Sequence, residues 1–186
     1  MASEILVAPG LLIAMPQLGD PNFARCVVLM VEHQREGSFG LVLNRPSQAS
    51  VVDLLRGIEV DWRGSDSDIA WEGGPVQPDT GWILHEPIPG LESSGTHEIV
   101  PGLFLSSAPD ALGTVAAHPP GRVRFLLGYS GWGPAQLETE LSESAWVNSE
   151  VDADFVFQTK PEEMWAASLK RLGVEPSSLA PANGVH

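Results

Sequence analysis

The chain has 186 residues, with 24 acidic against 10 basic side chains and a formal net charge of −14. Lysine occurs only at Lys160 and Lys170, and no Lys or Arg lies between Arg63 and Arg122; this argues against direct nucleic-acid binding, which draws its non-specific affinity from cations that neutralise phosphates. A composition 43% hydrophobic and 18% charged excludes a wholly disordered chain, and no apolar run approaches the ~18 residues of a membrane span. The opening MASEILVAPG has no basic residue, so it lacks a signal peptide's n-region. The single cysteine, Cys26, agrees with a reducing compartment, and the expected location is the cytoplasm.

Residues 11–15 form a short apolar run ended by Pro16, and Gly19-Asp20-Pro21-Asn22 has turn chemistry. Residues 26–31 are unbroken and rich in β-branched side chains, predicting a strand buried on both faces. Residues 39–43 are its expected hairpin partner, stopped by Asn44-Arg45-Pro46. Ser50 can cap a short helix, VVDLLRG, with Gly57 as its stop. After a polar stretch come a strand at 69–72, a forced turn at Gly73-Gly74-Pro75 and a strand at 82–85. A loop covers 87–96, a strand 103–105, and Pro109 opens a helix. Residues 123–129 predict a long strand, which Gly131-Trp132-Gly133-Pro134 turns into the helix AQLETELSES, with Leu137, Leu141 and Ala145 on one stripe. Pro161 starts the last helix and Gly173 ends it; Met164, Trp165, Ser168, Leu169 and Leu172 form its expected buried face. One domain over 1–175 is expected, with 176–186 as a disordered tail. The order β-β-β-α-β-β-β-α-β-α-α predicts a mixed α+β fold.

Chemistry is sparse. Gly128-Tyr129-Ser130-Gly131-Trp132 sits between a strand and a helix but breaks the nucleophile-elbow pattern at Trp132. The glycines at 128, 131 and 133 match no phosphate-binding loop. His33, His85 and His97 each adjoin a glutamate (Glu32, Glu86 and Glu98), yet adjacent strand residues point to opposite faces. No zinc-type spacing occurs, so neither metal nor cofactor is expected. Cys26 reads as a small buried hydrophobe. What remains is a polar set at strand ends: Arg25, Glu32, His33, Asn44, Arg45, His85 and Tyr129, which could line one cleft.

The segments GLLIAMPQLGDPNFARCVVLMVEH, GSFGLVLNRPS, GGPVQPDTGWILH and LGYSGWGPAQLETELSESAW strongly resemble the AlgH/YqgE family of bacterial proteins, from about Leu11 to Gly173. The resemblance implies a single compact domain with a bent, barrel-like mixed sheet and outer helices, and a regulator label without a defined activity. It picks out Asp20, Pro21, Phe23 and Arg25; Glu32 and His33; Asn44, Arg45 and Pro46; Gly73 to Val76; His85; and Gly128, Tyr129, Gly131, Trp132, Gln136, Leu137 and Glu138. The chain departs from the family in two places. Cys26 replaces a usual Ser or Thr, and 77–81 lacks a common arginine.

Two function classes follow. The first is a regulatory protein that binds another protein or a small molecule and does not touch DNA. The second is a hydrolase-like enzyme with a cleft around His33, Asn44, His85 and Tyr129, using His33 or His85 as base and a carboxylate such as Glu138 to orient it. No complete nucleophile, base and orienter set is legible, so the first leads.

Overall fold

Two strongly apolar stretches pair as the hairpin the sequence predicts. Strands β2 (Val27–Gln34) and β3 (Gly37–Val42) run antiparallel around a turn at Arg35-Glu36. The computed structural model describes residues 7–91 and 95–179. In β2, Val27, Val28, Leu29 and Met30 are all fully buried, as an unbroken apolar strand requires. A bulge between Met30 and Glu32 shifts the register, so that Met30 faces Gly40 but His33 faces Ser38. Gly40 and Ser38 lie on the same face of β3, so the extra residue brings His33 to the face of Met30.

β1 (Gly10–Ala14) pairs with the other edge of β2, and β10 (Trp146–Ser149) pairs with β1. β9 (Val123–Trp132) is the hub. Its last residues pair with β3, and its length pairs with β6 (Val76–His85). Residues Phe125, Leu126 and Leu127 also run parallel to β5 (Ile69–Glu72), which is the parallel pairing of the sheet. β8 (Leu103–Ser107) follows β6 and carries β7 (Thr96–Val100), and β4 (Pro46–Ser50) pairs with β5. The path β10-β1-β2-β3-β9-β6-β8-β7 has two distinct ends, so the sheet is mixed and open, not closed into a barrel.

Backbones approach closely at the hub. Gly128 has φ +74, a conformation that costs an ordinary residue, and a Cβ there would strike the Gly74 carbonyl oxygen. A Cβ on Gly74 would in turn strike the backbone of Tyr129. This explains glycine at both positions without invoking catalysis.

Five α-helices complete the described α+β domain: α1 (Val51–Arg56), α2 (Ala108–Ala117), α3 (Gln136–Ser142), α4 (Ala153–Gln158) and α5 (Pro161–Arg171). Val156 of α4 and Met164 of α5 close a core with Leu11, Leu29, Leu41 and Leu43 on one sheet face. Leu137 of α3 joins Leu12, Val28, Met30 and Trp146 on the other. Each such aliphatic side chain contributes about 1.5–3 kcal/mol on full burial. Ser50 Oγ accepts from the Asp53 amide at 3.3 Å, capping α1 as expected.

The differences from the sequence reading lie in short or polar elements. β4, β7, β10 and α4 are unpredicted, and Leu172 is 40% exposed because α5 ends one residue earlier. The expected tail begins with a 3-10 turn at Pro176–Leu179, and 180–186 lie outside the described residues. Among the described residues, no helix is long and apolar enough to cross a membrane.

Candidate functional site

The polar strand-end residues do not share one cleft. E-H and N-R sit at opposite ends of the β2–β3 hairpin: Leu43 bonds to Val27 at one end, while His33 faces Ser38 at the other. Val27 and His33 are six residue steps apart along β2, about 20 Å at ~3.3 Å per residue. The antiparallel hairpin therefore divides the set into two groups, and His85 and Tyr129 belong to neither.

The first group surrounds the start of β2. Asn44 Oδ1 accepts from the Val27 amide at 3.0 Å, and its Nδ2 donates to the Arg25 carbonyl at 2.9 Å. This bracket holds Arg25 at φ +55, left-handed for a non-glycine residue. The exposed Arg25 guanidinium then lies over the indole of Trp165, 5.1 Å from its centroid. Trp165 is fixed in turn, because its Nε1 donates to the Ala14 carbonyl at 2.8 Å. Arg45 donates to the carbonyls of Pro21 (3.4 Å) and Ala24 (3.2 Å), pinning the loop before Arg25. Together these residues border a cavity of about 750 Å³, with Ala14, Met15, Ala166 and Leu179 among its apolar lining. That volume is within the range of small-molecule sites.

The second group lies where β3, β9 and α3 meet. His33 Nε2 is 3.3 Å from Glu138 Oε1, and its Nδ1 is hydrogen-bonded to Ser38 Oγ at 2.6 Å. A carboxylate only accepts, so Nε2 carries a proton toward Glu138 and, in the neutral ring, Nδ1 accepts from Ser38. Glu138 is thus the carboxylate that orients His33. Glu32 points away from this contact and is exposed. Trp132 is buried, and its Nε1 donates to Glu140 Oε2 at 2.7 Å; Gln136 Oε1 accepts from the Gly133 amide at 3.0 Å, closing the turn into α3. Tyr129 lies on the other face of the sheet, where it packs on Phe39 with ring centroids 5.0 Å apart, and so does not join His33.

His85 is 1% exposed and cannot act on solvent-borne substrate. Its Nδ1 lies 2.7 Å from the Glu86 carbonyl, so that nitrogen donates and Nε2 accepts from Ser106 Oγ, also at 2.7 Å. Ser106 in turn is hydrogen-bonded to Thr96 at 2.7 Å. Burial pushes the His85 pKa down from its usual value, although the hydrogen bond to Glu86 opposes this. Ser130 is fully buried and donates to the Gly73 carbonyl at 3.2 Å, a structural role. The Cys26 thiol is buried and pushed up to about 11 by loss of solvent.

Two residues of these groups were not singled out for chemistry by the sequence: Trp165 and Ser38. Trp165 reads as a core position of an amphipathic helix, and nothing local marks its edge as a cavity wall. Ser38 becomes a partner of His33 only through the bulge in β2. Among the described residues, no group of three or more His, Cys, Asp or Glu could hold a metal ion.

The family model described as AlgH-like (DUF179) matches residues 11–177. The chain is 44% identical to a UPF0301 protein of Myxococcus xanthus, over 97% of this chain and 98% of that one. It is 40% identical to a UPF0301 protein of Anaeromyxobacter sp., over 96% and 94%. Its fold is similar to the solution structure of the AlgH protein from Pseudomonas aeruginosa, with TM-score 0.77, 38% identity and coverage of 100% and 99%. A crystal structure of a Corynebacterium diphtheriae protein shares the fold at TM-score 0.72 and 18% identity, covering 92% of this chain and 90% of that one. The match spans both residue groups and every strand of the sheet, and the chain belongs to the AlgH-like family.

Proposed function

We propose that the chain is a cytoplasmic regulatory protein that acts by binding a small ligand or a partner segment in the cavity beside Arg25, Asn44 and Trp165, without contacting DNA. The observation that carries this reading is the bracket on Arg25. Asn44 fixes its backbone, Trp165 supports its side chain, and both border a cavity of about 750 Å³. Such preorganisation lowers the entropic cost of binding. A net charge of −14 supports action through something other than a DNA duplex.

The test is thermal unfolding against a library of metabolite-sized compounds. A ligand of the folded state stabilises by about 2.7 kcal/mol at 100 times its Kd, enough to raise Tm clearly. Ala166→Trp, which fills the cavity from the surface of α5, should keep its own Tm and lose the response. Stabilisation that survives in Ala166→Trp would place binding elsewhere.

A hydrolytic reading has one observation in its favour, the Ser38–His33–Glu138 sequence of contacts. Labelling of Ser38 by a fluorophosphonate probe, abolished in His33→Ala, would establish it. An unlabelled Ser38 would leave His33 as a strut between the hairpin and α3.

A further inference from the structure

The cavity also carries information about its ligand. In a chain of net charge −14 with ten basic residues, two guanidinium groups, Arg25 and Arg45, border this one cavity. Among the described residues, neither is in an ion pair. Arg45 spends donors on the carbonyls of Pro21 and Ala24. The Arg25 guanidinium instead rests on the Trp165 ring face, a contact that leaves its N–H edges free to donate. Its backbone is held at φ +55, a conformation that is unfavourable for a non-glycine residue and persists where its surroundings enforce it. Here the enforcing group is Asn44.

One carboxylate, Glu162, borders the same cavity and opposes an anion. It lies in the first turn of α5, where the helix dipole offsets part of its charge. Asn44 and Ser177 add neutral polar groups, and the remaining lining is apolar, with Met15 just after β1 and Trp165 and Ala166 from α5.

We infer that the cavity takes a small organic anion, with a carboxylate or phosphate head on Arg25 and an apolar body against Met15 and Trp165. This rests on the cavity reading given above and names its ligand class.

The test uses three probes that share a naphthalene body and differ in the charge of the head group: naphthalene-1-sulfonate, 1-naphthalenemethanol and 1-naphthylmethylamine. Binding to the full chain is followed by the Trp165 indole N–H resonance, in wild type and in Arg25→Asn, whose short side chain tolerates the left-handed backbone. A hydrogen bond to a charged group supports roughly a tenfold preference or more. The sulfonate should therefore bind about tenfold tighter than the alcohol, with the amine weakest. Arg25→Asn should erase that preference, and raising salt in the wild type should weaken the sulfonate alone. Equal binding of alcohol and sulfonate, or an anion preference that survives in Arg25→Asn, would overturn the anion assignment and leave the cavity as a binding site. No shift of the Trp165 resonance by any of the three would overturn both.

Discussion

Asn44 donates its side-chain amide to the carbonyl of Arg25 at 2.9 Å, so a residue two positions past β3 sets the backbone that precedes β2. The same side chain accepts from Val27 at 3.0 Å, and these two bonds straddle Cys26. The site and the start of the central hairpin therefore share one structural element.

Removing that element should cost stability as well as binding. Asn44→Ala leaves the buried Val27 amide without its acceptor and should destabilise the fold by about 1–3 kcal/mol. Asn44→Asp keeps the acceptor but sets an oxygen against the Arg25 carbonyl, and should cost nearly as much. Urea unfolding with an unchanged m-value measures both; a loss below about 0.5 kcal/mol in both would show that the bracket is dispensable.

His85 predicts how stability changes with pH. Its folded-state pKa is lowered, so below the ordinary value near 6.5 the unfolded chain binds a proton that the folded chain resists. Its contribution is complete above about pH 6.5 and falls as pH drops from there toward the folded-state value. His85→Gln should unfold more easily at pH 7.5 and show a flatter decline over that acidic window. Parallel wild-type and variant curves between pH 7.5 and 5 would assign the decline to other groups.

The Cys26 thiol, pushed up to about 11, is almost wholly protonated at pH 8. Iodoacetamide should leave the native chain unlabelled at that pH and label it at the rate of opening in denaturant. Rapid labelling of the native chain would mean that the start of β2 opens locally.

The fold is legible in the sequence where apolar runs are long. Residues 26–31 are unbroken and 123–129 are interrupted only by Arg124 and Gly128, and both are central strands. The Ser50 cap and Pro161 start mark real helix ends. β4 is hidden because PSQAS carries no apolar period and begins with proline, which a sheet tolerates at the first position of a strand. β10 is four residues long and stable only as an addition to β1. For the site, Arg25, Asn44 and Arg45 stand out as charged and amide groups beside a buried strand. Their separation from His33 is not legible, because a list of strand ends does not say which end of a hairpin each occupies. Nor does the sequence place Trp165, which lies 140 residues from Arg25 and meets it only when α5 packs on β1 and β2.

Binding to DNA should be undetectable. With −14 net charge, a plain duplex should be repelled even in ~50 mM salt, where electrostatic attachment is strongest. A tight complex that weakens steeply with added salt would restore direct DNA contact.

The six tryptophans provide the most direct measurement of the central claim. Trp165 borders the cavity, Trp132 and Trp146 pack on the opposite sheet face, Trp62 sits beside α1, and Trp71 and Trp82 pack against the main core. In ¹⁵N-labelled protein titrated with a mixture of small organic acids, the Trp165 indole N–H should move in a saturable way while those of Trp132, Trp146 and Trp62 stay fixed. Saturable movement at Trp132 or Trp146 with Trp165 unmoved would put the binding site on the other face and contradict the assignment of the cavity beside Arg25.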